Sequence, residues 1–366
     1  MKKIVFISCF DWYENRIRYV NNYFVNSDWK SYYITSNYDH IKKEVITITD
    51  QNNFIYIDTI KYKKNLSFKR IYSHYKFSKD VIKKIKEMNP DLVYCLIPPN
   101  SLTKELALLK KEIGYKLIFD VIDMWPETMP IIKIKNLTPI KVWGNTRNKW
   151  INEADHVVTE CDLYQTKLKD YVDKSKMTTV YLAREIKKFA GNPNPPKDKI
   201  VLCYLGSINN IIDIPTIGSI VEDLRQTKSV ILHIVGDGEK REELIKVAKE
   251  SGAEVIYHGK VFDSIEKQKI FDLCHYGLNI MKESVFVGLT MKSMDYFEAG
   301  LPIINNIHGD TWDMVETYGI GVNYDLSKKL ILPKNNVICR ENTIKLYREK
   351  FGLIEFNKKI EVVING

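Results

Sequence analysis

The sequence has no closely spaced cysteine pair, no long apolar segment and no low-complexity tract. Its six cysteines are scattered over 366 residues, which excludes the CxxC spacing of zinc sites and argues against a disulfide framework. No apolar run approaches the roughly 20 residues that a membrane-spanning helix needs. Charged residues make up 28% and hydrophobic residues 45%, as in folded globular proteins. We therefore expect a folded cytoplasmic protein whose cysteines are small buried apolar residues.

The motifs of several enzyme classes are missing as well. Neither a Walker A sequence nor GxGxxG follows the first apolar run, Ile4–Phe10, which counts against an ATPase or a dehydrogenase. The histidines show no metal-ligand spacing, and no Asp-x-Asp string is present to bridge a diphosphate to a divalent cation. We therefore expect no metal cofactor. No period of 20–50 residues repeats, which sets solenoids and propellers aside.

Two α/β domains are expected from the order of apolar segments along the chain. Short runs rich in β-branched and aromatic residues alternate with helical patterns, which is typical of parallel sheets built from βαβ units. The predicted strands are Ile4–Cys9, Tyr32–Thr35, Phe54–Ile57, Leu92–Ile97, Leu117–Val121, His156–Thr159, Thr179–Leu182, Ile200–Leu205, Val230–Val235, Glu254–Tyr257, Tyr276–Ile280, Ile303–Asn305 and Gly321–Tyr324. The proline- and glycine-rich segment Gly191–Lys197 predicts a linker between them.

The domain boundaries follow from these segments. We predict Rossmann-like domains over residues 1–185 and 200–345, joined by a linker over 186–199. The remaining segment, 346–366, is predicted to be a helix that packs back on the N-terminal domain.

Positive charge is concentrated in the first half of the chain. Residues 1–180 hold 30 Lys and Arg against 21 Asp and Glu, whereas residues 181–366 hold 25 of each class. Basic residues interleave with aromatic ones in Lys61–Lys64, Lys69–Tyr72 and His74–Lys76. This pattern suits an anionic membrane surface, although a solvated face is the commoner meaning of a charge run. RNA binding is a further alternative, but no RNA-binding motif is present.

The segment Gly288–Ile304 carries the strongest chemical signal. Gly288 and Leu289 lead into Thr290, which can cap a helix that ends at Gly300. A helix N-terminus just beyond the carboxyl end of a strand attracts anions through its free N–H groups and its dipole. We therefore predict that a diphosphate binds where this helix begins.

Lys292 and Asp295 are three residues apart and share one face of that helix. Asp295 lies about one turn, roughly 5 Å, beyond the predicted diphosphate, where a ribose would offer two hydroxyl donors. Alternatively, Asp295 complements the helix dipole and pairs with Lys292. The spacing alone leaves both interpretations open.

The string Lys292-x-x-Asp295-Tyr296-x-x-Ala299-Gly300-Leu301-Pro302-Ile303 resembles the signature of glycosyltransferase family 4. The resemblance implies a GT-B fold, in which two Rossmann-like domains face each other across a cleft, and a nucleotide-sugar donor whose ribose Asp295 holds. Many members carry a second acidic residue eight positions earlier, where this chain has Val287. The resemblance therefore leaves the sugar end of the donor undefined.

Three further turns resemble donor-binding loops of the family. Gly206 and Ser207 end the first strand of the second half, where the family's loop faces the diphosphate. Gly236 and Gly238 resemble its Gly-acidic-Gly turn, and Val261 stands where its backbone reads the nucleotide base.

In the first half, Phe119–Glu127 resembles the Asp-Leu-Trp-Pro-Glu string of family-4 enzymes that build bacterial surface polysaccharides. Asp123 is the candidate catalytic residue, as an acceptor-orienting carboxylate, with helix capping as the structural alternative. Arg16, in a first loop that departs from the family pattern, is a candidate contact to a phosphate or to the acceptor.

The resemblance implies transfer of a sugar with retention of configuration, in capsular or other exopolysaccharide synthesis. It implies a donor linked to UDP, an acceptor saccharide on a polyprenyl diphosphate lipid, and a location at the inner face of the plasma membrane. Lys292, with the helix dipole, would stabilise the departing diphosphate. Two rivals stay open, namely a nucleotide-sugar epimerase of the same fold and a non-catalytic subunit.

Overall fold

A computed structural model describes residues 1–10, 13–46, 53–65, 67–129, 137–185 and 191–366. The chain divides into two compact domains. The first comprises Met1–Ala183 together with Leu353–Gly366, and the second comprises Arg184–Gly352. Each is an α/β domain built on its own parallel sheet.

Seven parallel strands form the main sheet in the described part of the first domain. They are β1 (Lys2–Ser8), β2 (Trp29–Ser36), β5 (Phe54–Ile57), β6 (Leu92–Ile97), β7 (Lys116–Val121), β8 (His156–Thr159) and β9 (Met177–Thr179). Their order is β5-β2-β1-β6-β7-β8-β9. From β1 the chain adds strands first on one side of the sheet and then, from β6 onward, on the other side. A short antiparallel pair, β3 (Tyr38–Asp39) and β4 (Glu44–Val45), stands apart. Open α/β sheets bind ligands at the carboxyl ends of the strands beside such a switch point, which here lies between β1 and β6.

Helices cover both faces of this sheet, which is why its central strands are almost continuously apolar. They are α1 (Glu14–Asn21), α2 (Phe68–Met88), α3 (Ser101–Ile113), α4 (Thr138–Asn148) and α5 (Asp162–Leu168). Helix α2 begins at a capping serine, since the side chain of Ser67 accepts from the backbone N–H of Arg70.

The second domain is a six-stranded parallel sheet. Its strands are β10 (Lys199–Leu205), β11 (Ser229–Val235), β12 (Ala253–Gly259), β13 (Tyr276–Asn279), β14 (Ile303–Asn305) and β15 (Gly321–Asn323), in the order β12-β11-β10-β13-β14-β15. Its helices are α6 (Ile214–Arg225), α7 (Arg241–Glu250), α8 (Ser264–Asp272), α9 (Met291–Glu298), α10 (Asp310–Tyr318) and α11 (Asn336–Phe351). This is the strand order of dinucleotide-binding folds, with its switch point between β10 and β13.

The chain returns to the first domain through helix α12, which spans Leu353–Asn365. Phe356, Ile360 and Val363 are buried in the same apolar core as Ile4 and Phe6 of β1. The return begins at Leu353, later than the position 346 expected from the sequence, because α11 belongs to the second domain.

The linker prediction falls partly on residues 186–190, which lie outside the described residues. The described remainder is attached to the second domain. The backbone N–H of Asn192 donates to the Asp272 carboxylate at 2.8 Å, and that of Asn194 donates to the Asp272 carbonyl at 2.9 Å. A Cβ at Gly191 would lie 2.3 Å from the side-chain amide nitrogen of Gln268, so that side chain would have to move.

The six cysteines are all buried and none forms a disulfide. Within the described ranges, no helix is both long enough and apolar enough to cross a membrane.

Candidate functional site

Helix α9 begins as the sequence predicts, at a threonine cap. The Thr290 hydroxyl accepts from the backbone N–H of Ser293 at 3.1 Å, and Gly300 follows the helix with a φ of +66°. The cap is fixed from the sheet side, because the same hydroxyl donates to the Asn279 side chain at 3.1 Å. The carbonyl of Gly288, just before the cap, accepts from both the backbone and the hydroxyl of Thr311.

An amide ladder that the sequence analysis missed lies beneath this cap. Asn279, Asn305 and Asn323 are register partners at the carboxyl ends of β13, β14 and β15. The side-chain amide of Asn305 joins the three, at 2.8 Å to Asn279 and 2.9 Å to Asn323. The signal was present in the sequence, because each of the three apolar strands closes on an asparagine. The ladder orients the Asn279 carbonyl that holds Thr290.

Lys292, on the first turn of α9, extends over Tyr204 at the end of β10. Its ammonium nitrogen lies 4.7 Å from the centroid of the tyrosine ring and 3.5 Å from the hydroxyl. No carboxylate of the described residues forms an ion pair with it. Burial lowers the pKa of Lys292 from its ordinary value to about 8. A half-buried cation without a counterion favours the binding of an anion at this position.

Asp295 forms ion pairs with Arg184 at 2.6 Å and with Lys267 at 3.7 Å. The Arg184 guanidinium also lies 3.1 Å from the carboxylate of Glu298, three residues further along α9. The alternative left open by the sequence, a pair between Asp295 and Lys292, is not formed. Pairing with two cations leaves lone pairs on the carboxylate that can still accept from hydroxyl donors.

A cavity of about 330 Å³ lies beside Asp295. It is bounded by α8, α9 and α11, and its walls include Phe262, Ser264, Lys267, Asp295 and Arg340. Phe262 directly follows Val261, so the loop predicted to read a base and the helix predicted to hold a ribose meet at one cavity. The volume lies within the range of small-molecule sites.

The glycine turns after β10 and β11 pack against each other. A Cβ at Gly236 would lie 2.0 Å from the Gly206 carbonyl oxygen, and one at Gly238 would lie 2.2 Å from that of Ile208. Loop contact therefore explains both Gly236 and Gly238. Gly206 has a φ of +109°, which favours glycine, no atom lies within 4 Å of its missing Cβ, and its N–H donates to the Val235 carbonyl at 2.8 Å. Exposed Ser207 accepts from the Tyr204 hydroxyl through its carbonyl at 2.9 Å.

Tyr296 connects α9 to the sheet and was not singled out by the sequence analysis. Its buried hydroxyl donates to the Cys203 carbonyl at 3.0 Å and accepts from the Leu205 N–H at 2.9 Å. Its ring occupies the space over Gly277, where a Cβ would lie 2.8 Å from it. These contacts fix the height of α9 above the end of β10, and hence the position of Lys292.

The two remaining predicted donor-site residues are Leu289, before the cap of α9, and Val261, after β12. Both are half-buried.

In the first domain, Asp123 lies two residues beyond β7. Its carboxylate accepts from the Trp125 indole N–H at 2.6 Å and from the Thr128 hydroxyl. Burial raises the pKa of Asp123, and these two hydrogen bonds oppose the rise. Residues 125–128 form a turn, so among the described residues no helix directly follows Asp123 for it to cap.

Arg16 does not present a free cation to a ligand, contrary to the expectation that it reaches a phosphate. Arg16 is 4% exposed, and its guanidinium donates two hydrogen bonds to the Asp120 carboxylate, at 2.6 and 2.9 Å. It also donates to the Val180 carbonyl at 2.9 Å. Asp120 lies on β7, 104 residues away, and sequence spacing does not reveal this pairing. Arg16 is part of the core of the first domain.

No cluster of three or more potential metal ligands occurs within the described residues. The expectation of a metal-independent reaction stays a prediction.

Comparisons with known proteins relate the chain to others through its fold. No protein-family model and no curated protein sequence matches it. Among solved structures, the apo form of the lipopolysaccharide outer core galactosyltransferase WaaB is 20% identical, with a TM-score of 0.69 over 99% of both chains. HepE of Anabaena in complex with UDP is 12% identical, with a TM-score of 0.62 over 100% of both chains. MurG of Acinetobacter baumannii is 8% identical, with a TM-score of 0.53 over 100% of both chains. The chain therefore has the two-domain α/β fold of the GT-B glycosyltransferases.

Proposed function

We propose that this protein is a glycosyltransferase that moves a sugar from a nucleoside-diphosphate donor to a saccharide acceptor. The observation that carries the proposal is Lys292, a half-buried lysine without a carboxylate partner in the described residues, at the capped start of α9. The helix dipole and the free backbone N–H groups add to its positive potential. Together they suit the two negative charges that develop on a departing diphosphate.

The nucleoside is assigned to the cavity beside Asp295. Asp295 accepts from the ribose hydroxyls, and the backbone around Val261 reads the base. Phe262 and Asp295 line the same cavity, and Asp295 lies about one helical turn from Lys292. A nucleoside in this cavity would therefore lie next to a diphosphate at Lys292, which supports the assignment. We assign UDP as the nucleotide. HepE of Anabaena, which shares the fold, is solved in complex with UDP-glucose.

The diphosphate is assigned to the start of α9. In this assignment the turn at Gly206 and exposed Ser207 face the diphosphate, and Gly288, Leu289 and Thr290 shape the turn before the helix. Gly236 and Gly238 act indirectly, by allowing the two loops to approach.

Asp123 is assigned to the acceptor. Its carboxylate orients the hydroxyl that attacks the anomeric carbon while Lys292 stabilises the leaving diphosphate. Its raised pKa brings the carboxylate closer to the range in which it can accept a proton from the attacking hydroxyl. In this scheme the protein supplies no nucleophile, and the sugar is transferred with retention to a lipid-linked acceptor in cell-surface polysaccharide synthesis.

A membrane-facing surface is assigned to the start of α2. Phe68 is 88% exposed and Tyr72 is 59% exposed, beside the exposed lysines of the Lys61–Lys64 segment. Exposed aromatic side chains next to lysines suit an anionic bilayer surface. His74, counted in the basic pattern, is buried and does not contribute to this surface.

The test is nucleotide binding by calorimetry, followed by a donor assay. UDP should bind the wild-type protein, whereas Lys292→Met and Asp295→Ala should each bind it much more weakly with unchanged circular dichroism. Lys269→Met, on the exposed side of α8, serves as the matched control and should bind normally. Equal UDP affinity in all four proteins would refute the donor site. Conversion of UDP-glucose to another nucleotide sugar without acceptor would instead identify an epimerase.

A further inference from the structure

In the described part of the first domain three arginines are buried, and two of them pair with a carboxylate of the described residues. Arg16 is 4% exposed and binds Asp120 through Nε and one Nη. Arg147 is fully buried and binds Glu127 through both Nη atoms, at 2.8 and 3.1 Å. Arg70, on α2, is 7% exposed and forms no ion pair with any carboxylate of the described residues.

Arg70 hydrogen-bonds to the Tyr62 side chain and makes further contacts through one Nη and through the face of its guanidinium. One Nη donates to the Asn65 carbonyl at 2.9 Å, and the guanidinium carbon lies 4.3 Å from the centroid of the Trp125 ring. The Nε–H group is buried and has no hydrogen-bond partner among the described residues. Nε and the second Nη form the fork that binds an oxyanion with two parallel hydrogen bonds, which is how Arg16 holds Asp120.

Two neighbours on the same face of α2 also have unpartnered polar atoms. Ser73 and His74, three and four residues after Arg70, are 0% and 4% exposed. The Ser73 hydroxyl and the His74 Nε2 are buried without a partner in the described residues. Residues at this spacing share one helix face. The His74 ring is stacked over Trp125 at 5.9 Å, the same ring that Arg70 covers.

The local charge is positive. Lys43 lies over the Tyr62 ring at 4.8 Å, and Arg70 lies 5.5 Å from the same ring. Burial and these two cations lower the pKa of His40 to about 3, and burial with Arg70 also lowers that of His74, so both rings are neutral near pH 7.

The nearby carboxylates are already engaged. Asp39 accepts from the backbone N–H groups of Ile41 and Lys42, and Asp123 accepts from Trp125 and Thr128. Neither is hydrogen-bonded to Arg70.

The contacts of the described residues do not account for this arrangement by a purely structural role. A buried guanidinium that lacks a counterion costs several kcal/mol, and buried charges in proteins are normally paired. Unpartnered buried polar atoms are rare, yet three of them lie within five residues of one helix. An oxyanion that reached these atoms could accept from Nε–H, from the Ser73 hydroxyl and from the His74 Nε2–H tautomer.

We propose that the first domain binds an oxyanion at the Nε–H group of Arg70, assisted by Ser73 and His74, and that this group belongs to the acceptor. The second half of this statement rests on the proposed function. The shared chemistry is a phosphate ester or a sugar carboxylate. Trp125 links the two parts of the site, because Arg70 and His74 cover its ring while its indole N–H holds Asp123. The acceptor would thus be anchored by its charge near the carboxylate assigned to its attacking hydroxyl.

The experiment measures the thermal unfolding midpoint of the full chain in the presence of saturating UDP, so that phosphate does not act through the donor site. Sodium phosphate, sodium glucuronate and sodium chloride are compared at equal ionic strength. The proteins are wild type, Arg70→Met, Arg70→Lys, and Lys83→Met as an exposed control on α2.

We expect phosphate or glucuronate to raise the midpoint of wild type and Lys83→Met, saturably and more than chloride does. Arg70→Met should lose this rise, and Arg70→Lys should keep only part of it because lysine lacks the fork. Whichever anion gives the larger rise identifies the source. An equal rise in wild type and Arg70→Met, or no rise beyond that of chloride, overturns the proposal.

A second measurement separates the site from a structural role. Without added anion, Arg70→Met should unfold at or above the wild-type midpoint, since it removes an unpaired buried cation. A midpoint well below that of Lys83→Met would show that Arg70 is structural. The glycosyltransferase proposal fails independently, if UDP does not bind at all while the anion response persists.

Discussion

The ammonium group of Lys292 lies 4.7 Å above the ring of Tyr204, and the Tyr204 hydroxyl donates in turn to the carbonyl of Ser207. The tyrosine thus joins the cation of α9 to the loop after β10. The substitution Tyr204→Phe would remove the hydrogen bond to the Ser207 carbonyl but keep the ring under Lys292.

The affinity for UDP should fall as the pH rises through 8. The pKa of Lys292 is lowered to about 8, so the lysine is charged at pH 7 and mostly neutral at pH 9. Because the neutral form loses its attraction for the diphosphate, we expect about a tenfold loss of affinity over these two pH units. Calorimetry at pH 7, 8 and 9 measures it, since the UDP phosphates are already ionised across this range.

Lys292→Arg is the control for this pH dependence. Arginine keeps its charge, so the loss of affinity between pH 7 and 9 should disappear. The same decline in wild type and Lys292→Arg would assign the pH dependence to another group.

In the free protein the lowered pKa of Lys292 makes the free energy of unfolding change with pH in the opposite direction to the affinity for UDP. The folded state should gain stability as the pH rises above 8, because the unfolded lysine still binds its proton there.

Asp123→Asn should leave UDP binding intact and remove sugar transfer. The amide keeps the size of the side chain and can still accept from Trp125, but it cannot take a proton from the acceptor. Calorimetry with UDP and a transfer assay with UDP-glucose separate the two effects. Normal turnover in Asp123→Asn would exclude this carboxylate from the reaction.

Asn305→Ala should destabilise the second domain and weaken UDP binding together. The substitution removes the central member of the amide ladder and leaves buried polar groups of Asn279 and Asn323 without partners, at about 1–3 kcal/mol each. Urea unfolding and calorimetry measure the two effects. Exposed Asn210→Ala is the control for both. A destabilised variant with unchanged UDP affinity would show that the ladder does not position the start of α9.

Arg16→Met should destabilise the first domain by about 3–5 kcal/mol, since it leaves the fully buried carboxylate of Asp120 without its partner. Denaturant unfolding measures the loss, with exposed Arg18→Met as the control. Wild-type stability would mean that the Asp120 charge is neutralised by other means. The contrast with Arg70→Met, which should cost little, tests the different roles of two buried arginines.

Binding to vesicles that contain anionic lipid should weaken with salt, because a screening length of about 10 Å at 0.1 M shortens the reach of exposed lysines. Combined replacement of Lys61, Lys63 and Lys64 by Met should lower the binding further. Co-sedimentation measures it, and neutral vesicles are the control. Salt-independent binding, or equal binding by the variant, would remove the membrane surface from the proposed function.

Local sequence patterns predicted the fold and the start of α9, whereas they could not predict contacts between residues that are far apart in the sequence. Threonine and glycine mark the two ends of α9 within ten residues, and strands such as His156–Thr159 were placed to the residue. The last strand of the first sheet was expected at Thr179–Leu182 but lies at Met177–Thr179, because its pairing with β8 ends there.

The partners of charged residues could not be read from spacing. Arg16 meets Asp120 at a separation of 104 residues, and Arg184 meets Asp295 at a separation of 111. Such pairs are set by the order of strands in a sheet and by the packing of helices on it. Sequence periodicity reports only which face of an element is apolar.

The return of α12 to the first domain has a consequence for synthesis on the ribosome. Phe356, Ile360 and Val363 complete a core that begins with Ile4, so the first domain needs residues that are translated after the entire second domain. We expect the second domain to reach its native state first, while the earlier half of the nascent chain remains protease-sensitive. Limited proteolysis of ribosome-bound chains that end at Gly352 would show this order, and early resistance of the segment before Ala183 would disprove it.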